Sequence, residues 1–266
     1  MKTNFHTHTV YCDGKNTPEE VVLSAIKLGF DSIGFSGHGF TDFAPEYCMK
    51  DTDGYINDIK AVREKYKNDI RVYLGIEEEA FCLTDRARFD YIIGSCHYVL
   101  KDGRYYAVDS SPQHFEKCLS AFGNDALGLA TSYYEAFCEY ILRRRPDVIG
   151  HFDLITKFDE AEPVRFLNNA EYIKLASGYL KKAVGAGVPF EVNTGAISRG
   201  YRKTPYPQEE LLHTLLNLDG KIVLSSDSHS ADTLDFAFDE TKKYLYDIGF
   251  RYVYVLCDGG FQKDFL

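Results

Sequence analysis

Short apolar runs alternate with longer stretches in which apolar residues recur every three or four positions, almost from one end of the chain to the other. The short runs read as strands, over 4–7 (NFHT), 32–38 (SIGFSGH), 70–79 (IRVYLGIEEE), 90–97 (DYIIGSCH), 147–153 (DVIGHFD), 189–194 (PFEVNT) and 221–229 (KIVLSSDSH). The longer stretches read as helices, over 17–28, 53–67, 113–122, 125–144, 168–186, 208–217 and 232–247. The first helix carries its own start and stop signals. Thr17 is the N-cap, Pro18 takes the first helical position, Glu20 closes a capping box, and Gly29 ends the helix. Its inward face is Val21, Val22, Ala25, Ile26 and Leu28. A last β-rich run, 252–256 (YVYVL), has no evident place in a sheet.

Near-continuous apolar strands separated by amphipathic helices argue for a parallel sheet covered by helices. Seven such strands in 266 residues fit an α/β barrel, which commonly runs to about 250 residues as one domain. No internal repeat, low-complexity tract or Gly/Ser/Pro linker divides the chain, so a single domain over 1–266 is expected. Residues 98–147 exceed what a minimal crossover needs. They are read as an insertion beside the barrel mouth, where it would shape substrate choice.

The eight histidines are at 6, 8, 38, 97, 114, 151, 213 and 229. His6 and His8 leave the first strand on one face, about 6.6 Å apart along it, with Asp13 five residues further on. His38, His97, His151 and His229 also stand at the C-terminal ends of expected strands, and only His114 and His213 fall in helices. The third strand ends in Glu77, and the seventh brings Asp227 two residues before His229 as a second same-face pair. Strand C-termini of a (β/α) barrel share one rim, so ligand-type side chains from five or six strands converge there. Imidazoles mixed with carboxylates suit zinc, manganese or iron rather than calcium or magnesium. With no evident cysteine ligand, the set suits a reactive centre better than a closed structural one.

Charge and cysteine usage narrow the partners. Lysine plus arginine number 30 against 40 for aspartate plus glutamate, a net charge of −10. That balance disfavours nucleic acid, which needs basic stripes to replace counterions. Seven cysteines with no CxxC pair disfavour a disulfide framework and fit a reducing compartment. No segment approaches the roughly eighteen apolar residues of a membrane span, and the first residues lack a signal-peptide pattern. A cytoplasmic protein without membrane contact is expected; its oligomeric state is left open.

In this order, HTH with Asp13, GHG, GIE, GSCH, GHFD and SSDSH resemble the motifs of the polymerase-and-histidinol-phosphatase (PHP) superfamily, from residue 4 to about 230. Within it, the length and the stretch EVNTGAISRGYRKTPYP resemble stand-alone histidinol-phosphate phosphatases. The resemblance implies a distorted (β/α)7 barrel holding three divalent transition metals. One would take His6, His8, Glu77 and Asp227; a second would share Glu77 and add His97 and His151; the third would take Asp13, His38 and His229. Asp13-Gly14 is also a turn signal, and some members carry histidine at this position, yet aspartate is a competent ligand.

The activity so implied is hydrolysis of a small phosphomonoester, L-histidinol phosphate, with a metal-bound hydroxide as nucleophile. Three divalent ions against three carboxylates and a hydroxide leave a charge of about +2, which a phosphate dianion neutralises. Arg199 and Arg202 follow the sixth strand at the same rim, suited to a bidentate phosphate grip. Asp153 is a candidate proton donor to the leaving oxygen, or an orienter of a ligand histidine. Glu79 shares the strand face of Glu77, and Glu78 points the other way. Tyr47 and Tyr106 are candidate pocket residues. Cys12 and Cys96 read as buried structure, Asp42, Glu46 and Asp159 as solvated loop positions, and the run Arg143-Arg144-Arg145 as a helix-dipole feature. Two alternatives stand beside the phosphatase: a phosphoesterase acting on nucleotides or oligonucleotide ends, and a catalytically inactive metal-binding scaffold. All nine expected ligand positions hold ligand-type residues, which argues against the scaffold.

Overall fold

The computed structural model describes residues 1–161, 163–258 and 260–266. The chain opens with β1 (Thr3–Asn4), α1 (Pro18–Lys27), β2 (Ser32–Phe35), α2 (Thr52–Lys65), β3 (Arg71–Glu79) and β4 (Tyr91–Ser95). Next come β5 (Tyr98–Lys101), β6 (Arg104–Ala107), α3 (Pro112–Ala121), α4 (Ala126–Arg144) and β7 (Val148–Ile149). The remainder is α5 (Ala170–Val184), β8 (Phe190–Asn193), α6 (Gly195–Ser198), α7 (Glu209–Asn217), β9 (Ile222–Ser225), α8 (Phe238–Ile248), β10 (Tyr252–Cys257) and β11 (Gly260–Phe265). The start of α1 follows its sequence signal: the Thr17 hydroxyl accepts from the Glu20 amide while the Glu20 carboxylate accepts from the Thr17 amide.

Seven strands pair in parallel in the order β1-β2-β3-β4-β7-β8-β9. The two edges meet just beyond β1 and β9, where Thr7 bridges Ser228. The His8 amide donates to the Ser228 carbonyl at 2.8 Å and the Ser228 amide to the His6 carbonyl at 3.1 Å. The sheet is therefore a nearly closed (β/α)7 barrel, joined by the backbone of its first and last histidine motifs.

Several boundaries differ from the sequence reading, and each difference has a local cause. The strands expected over 4–7, 147–153 and 221–229 shrink to Thr3–Asn4, Val148–Ile149 and Ile222–Ser225, because the chain leaves regular pairing to turn toward the barrel mouth. Asp227 sits in the left-handed region at φ 47°, so it and His229 are not a same-face strand pair. The helix expected from 232 begins at Phe238, after a 3-10 turn over Ala231–Thr233 and a left-handed Ala237. Segment 98–147 holds an antiparallel hairpin, β5–β6, whose turn residues Asp102 and Gly103 both have positive φ. An Asp-Gly pair between alternating strands is a hairpin signal that reading the segment as one insertion passes over. The run 252–256 pairs with β11 as a separate two-stranded sheet.

Two side chains of the barrel wall lock its first half. Tyr91 of β4 lies directly opposite Gly75 of β3, and its ring reaches across that strand. Its hydroxyl donates to the Phe5 carbonyl at 2.5 Å, with the Phe35 carbonyl at 3.2 Å. On the opposite face of β3, Glu78 accepts from the Tyr140 hydroxyl and from Arg144 Nε, both at 2.8 Å, tying α4 to the sheet. Arg144 is thus a partner of a buried carboxylate rather than only a helix-dipole charge. A Cβ on Gly75 would stand 2.3 Å from Tyr91 Cζ, which a packed core cannot absorb. Gly75→Ala is expected to lower the unfolding free energy by about 2 kcal/mol, read as a lower urea midpoint with an unchanged slope. A midpoint equal to the parent's would show that the ring is free to move.

Candidate metal centre

Glu77, near the end of β3, is the centre of the rim. Its Oε1 stands 3.0 Å from His151 Nε2 and 3.3 Å from His97 Nε2. Its Oε2 stands 2.8 Å from His38 Nδ1, 3.4 Å from His6 Nε2 and 3.7 Å from His8 Nε2. Asp227 Oδ1 approaches His8 Nε2 at 3.2 Å, His229 Nδ1 at 3.6 Å and His6 Nε2 at 3.7 Å. At the outer side, Asp13 faces His229 Nε2 at 3.2 Å, His8 Nδ1 at 3.4 Å and His38 Nε2 at 3.6 Å. All nine residues singled out from the sequence are therefore neighbours, although they span positions 6 to 229.

Three groups of these atoms lie close enough to share an ion: His6, His8 and Glu77; His38, Glu77 and His97; and His8, Asp13, His38 and His229. His8 and His38 each belong to two groups, a sharing the sequence assignment did not contain. Donors bound at 2.0–2.2 Å around a tetrahedral ion stand about 3.3–3.6 Å from one another, and the separations above bracket that range. His6 Nε2, His8 Nε2 and Glu77 Oε2 are buried without a hydrogen-bond partner. Buried polar atoms are rarely left so, and a cation between them satisfies all three. The donor set fits a divalent metal.

The electrostatics point the same way. Burial opposes charge on His6, but Glu191, Glu77 and Asp227 outweigh it and push the imidazole up to about 10. His38 is likewise raised to about 9 against its burial, chiefly by Glu77. Glu77 and Asp227 are held well below the usual carboxylate range despite burial, the first by His6, His38 and His97, the second by Arg199 and His6. Without metal, protons on His6 and His38 supply positive charge beside these carboxylates.

The histidines are held from behind. His97 Nδ1 donates to Glu79 Oε2 at 3.0 Å. His6 Nδ1 donates to Glu191 Oε1 at 2.6 Å, and Glu191 Oε2 accepts from the His151 amide at 2.8 Å. The sequence reading missed Glu191, whose signal was a lone acid inside the apolar strand PFEVNT. Cys12 Sγ lies 3.4 Å from His8 Nδ1, so it touches the centre rather than serving as plain core. Cys96 is buried structure, as expected, with its thiol donating to the Tyr98 carbonyl.

The remaining expected residues divide. Arg199 donates to Asp227 Oδ2 and to the Asp227 carbonyl, each at 3.0 Å, and is 28% exposed. Arg202 is 3% exposed and directs its guanidinium at Thr156 and Thr204, over the Tyr206 ring. Asp153 is fully buried and accepts from the Gln208 amide at 2.9 Å. Asp159 is not a solvated loop residue; it is buried and accepts from the amides of Arg165, Phe166 and Leu167. A cavity of about 280 Å³ opens against Asp13, His38 and His97, walled by Glu46, Tyr47, Tyr98, Asp109, Ser110 and Lys157. Tyr106 is not among its lining residues, and Glu46, exposed as expected, is.

No helix of the described residues is long and apolar enough to cross a membrane. The chain is 31% identical to a protein of Schizosaccharomyces pombe named "Probable histidinol-phosphatase", over 92% of this chain and 86% of that one. It is 27% identical to a protein of the same name from Deinococcus radiodurans, over 93% and 94%. Its fold is similar to that of histidinol phosphate phosphatase from Lactococcus lactis, solved with zinc, L-histidinol and phosphate, at a TM-score of 0.73 and 19% identity over 98% and 99% of the two chains. The PHP domain model matches residues 4–195, and with that match the chain belongs to the PHP domain family.

Proposed function

We propose that the chain is a metal-dependent phosphomonoester hydrolase whose substrate is L-histidinol phosphate, released as L-histidinol and inorganic phosphate in histidine biosynthesis. The observation that carries this reading is the ring of mutually facing donor atoms around Glu77, three of them buried without a hydrogen-bond partner, with His38 and His97 of that ring lining a small cavity. The two relatives named probable histidinol-phosphatase, aligned over nearly all of the chain, support the choice of substrate. A cavity of about 280 Å³ lies at the small end of ligand sites and favours a small phosphomonoester over a nucleic-acid strand. The seven free cysteines suit a cytoplasmic setting.

On this reading three divalent ions bind: one at His6, His8, Glu77 and Asp227, a second at Glu77, His97 and His151, and a third at Asp13, His38 and His229. Zinc, manganese and iron all match these donors. Bound there, the ions supply Lewis-acid polarisation of phosphoryl oxygens and activation of water near neutral pH. Glu77 presents Oε1 to His97 and His151 and Oε2 to His6, His8 and His38, as a bridging carboxylate would. Arg199 steadies Asp227 and is 28% exposed, against 3% for Arg202, so it is the arginine assigned to phosphate binding. The two terminal nitrogens of Arg202 donate to Thr156 and Thr204, and one oxygen of the buried Asp153 accepts from the Gln208 amide; neither is assigned a part in the chemistry. Segment 98–147 contributes Tyr98, Asp109 and Ser110 to the cavity wall, which supports reading it as the element that shapes substrate choice.

Three outcomes test the reading. Metal-loaded protein offered L-histidinol phosphate, a mononucleotide and a short single-stranded DNA should hydrolyse the first with at least a hundredfold higher kcat/KM. Preference for either of the others would move the assignment to a nucleotide phosphoesterase, and silence on all three to a scaffold. Elemental analysis should find close to three transition-metal ions per chain and about two in His229→Ala; an unchanged count would mean that the outer group does not hold an ion. Metal uptake should also release protons at pH 7.5. With His6 raised to about 10 and His38 to about 9, both imidazoles are protonated before loading, so apparent affinity should fall as pH is lowered. Titration calorimetry in buffers of different ionisation enthalpy reads this directly, and identical heats in all buffers would contradict it.

A further inference from the structure

We propose that Glu191 is a positioning residue that fixes His6 as an Nε2 ligand and ties the His151 backbone to the same point, so that two ligand histidines are placed by one carboxylate. The inference rests on reading the rim as a metal centre and goes beyond it, because Glu191 reaches no ion position itself. It is 1% exposed, between Phe190 and Val192 in β8. Its acceptor capacity is filled: Oε1 takes His6 Nδ1 at 2.6 Å and the Ser225 hydroxyl, and Oε2 takes the His151 amide at 2.8 Å and Asn193 Nδ2 at 2.9 Å. With four donors satisfied, neither oxygen is left for metal or substrate.

The consequence for His6 is a choice of tautomer. A free imidazole carries its proton on either nitrogen, whereas a carboxylate at 2.6 Å from Nδ1 keeps the proton there. In the metal-binding form Nε2 then directs its lone pair toward Glu77 Oε2 at 3.4 Å and Asp227 Oδ1 at 3.7 Å, a meeting of acceptors that a metal ion resolves in place of a second proton. Glu79 performs a narrower version of this task. Its Oε2 takes both the amide and Nδ1 of His97, so it places one histidine. Glu191 joins the end of β1 to the end of β7 across β8, and Ser225 extends the tie to β9.

Glu191→Gln tests the assignment with zinc as the probe. Glutamine offers one acceptor and one donor group where four donors converge, so either orientation leaves two of them facing an NH2. The variant should fold with parent-like circular dichroism and bind zinc 10- to 100-fold more weakly in competition with a chromophoric chelator. The ¹⁵N resonances of His6 in the zinc-loaded protein should change from a single Nε2-bound pattern to a mixture of tautomers. Glu79→Gln should disturb the resonances of His97 and leave those of His6 as they are. Parent-like zinc affinity with unchanged His6 resonances would overturn the proposal. If Glu191→Gln does not fold, Asn193→Ala with Ser225→Ala frees the carboxylate from two donors while keeping its charge. About a fivefold loss of zinc affinity is then expected, and an unchanged affinity overturns the proposal. Both readouts are made without substrate, so they decide the role of Glu191 whether or not the chain hydrolyses L-histidinol phosphate.

Discussion

The carboxylates of Glu77, Glu79, Glu191 and Asp227 are buried at one end of the barrel, with Asp13 at its edge. Removing a carboxylate from water is unfavourable by several kcal/mol unless positive charge or donors replace the lost hydration. The rim meets that demand in layers. Glu191 is satisfied at both oxygens by donors within the barrel wall and Glu79 at one, and these contacts orient His6 and His97. Glu77 and Asp227 face inward onto imidazoles whose free nitrogens point back at them. The remaining demand is for cationic charge at the centre, met by protons or by metal. The rest of the architecture brings these groups together and keeps them from spreading: barrel closure through the backbone of His6, His8 and Ser228, and the Tyr91 wedge beneath.

The two sides of the centre differ in exposure. Glu77 and the histidines at 6, 8 and 151 are almost completely buried, whereas Asp13 is 35% and His229 22% exposed at the side chain. The cavity lies on the outer side, against Asp13, His38 and His97. Low dielectric strengthens the interactions of the inner groups, while water competes at the outer ones. The inner donors are the more shielded part, and of the outer donors Asp13 and His38 line the cavity.

Much of this was legible in the sequence because metal ligands at strand ends leave a regular trace. Strand ends recur with the period of the βα unit, and imidazoles are scarce enough for their placement to stand out. Other features were hidden for physical reasons. Asp227 looked like one of a same-face strand pair with His229, but its left-handed backbone follows from the turn toward the mouth, which alternation does not encode. Glu191 was overlooked because an acid in an apolar strand declares a buried partner without naming it, and the partner, His6, lies 185 residues away. The late start of α8 reflects a left-handed Ala237, a conformation alanine adopts under tertiary constraint and not by propensity. The β5–β6 hairpin does leave a trace in Asp102-Gly103, a turn pair flanked by strands only four residues long.

That hairpin changes how the mouth is understood. β5 begins one residue after His97, so the strand end that supplies a candidate ligand also launches the cavity wall. Tyr98 packs edge-on against Phe43, and Tyr105 stacks on the same ring at 3.7 Å between centroids, fixing the hairpin to the loop that carries Glu46 and Tyr47. After β6 the chain returns with Asp109, which holds Lys157 at 3.2 Å on the far side of the cavity. Two segments distant in sequence thus enclose one small space, with acidic and aromatic groups facing the centre from His38 and His97 outward. The walls and the donors are joined directly: His38 and His97 line the cavity, and Tyr47 of the wall packs edge-on against His38.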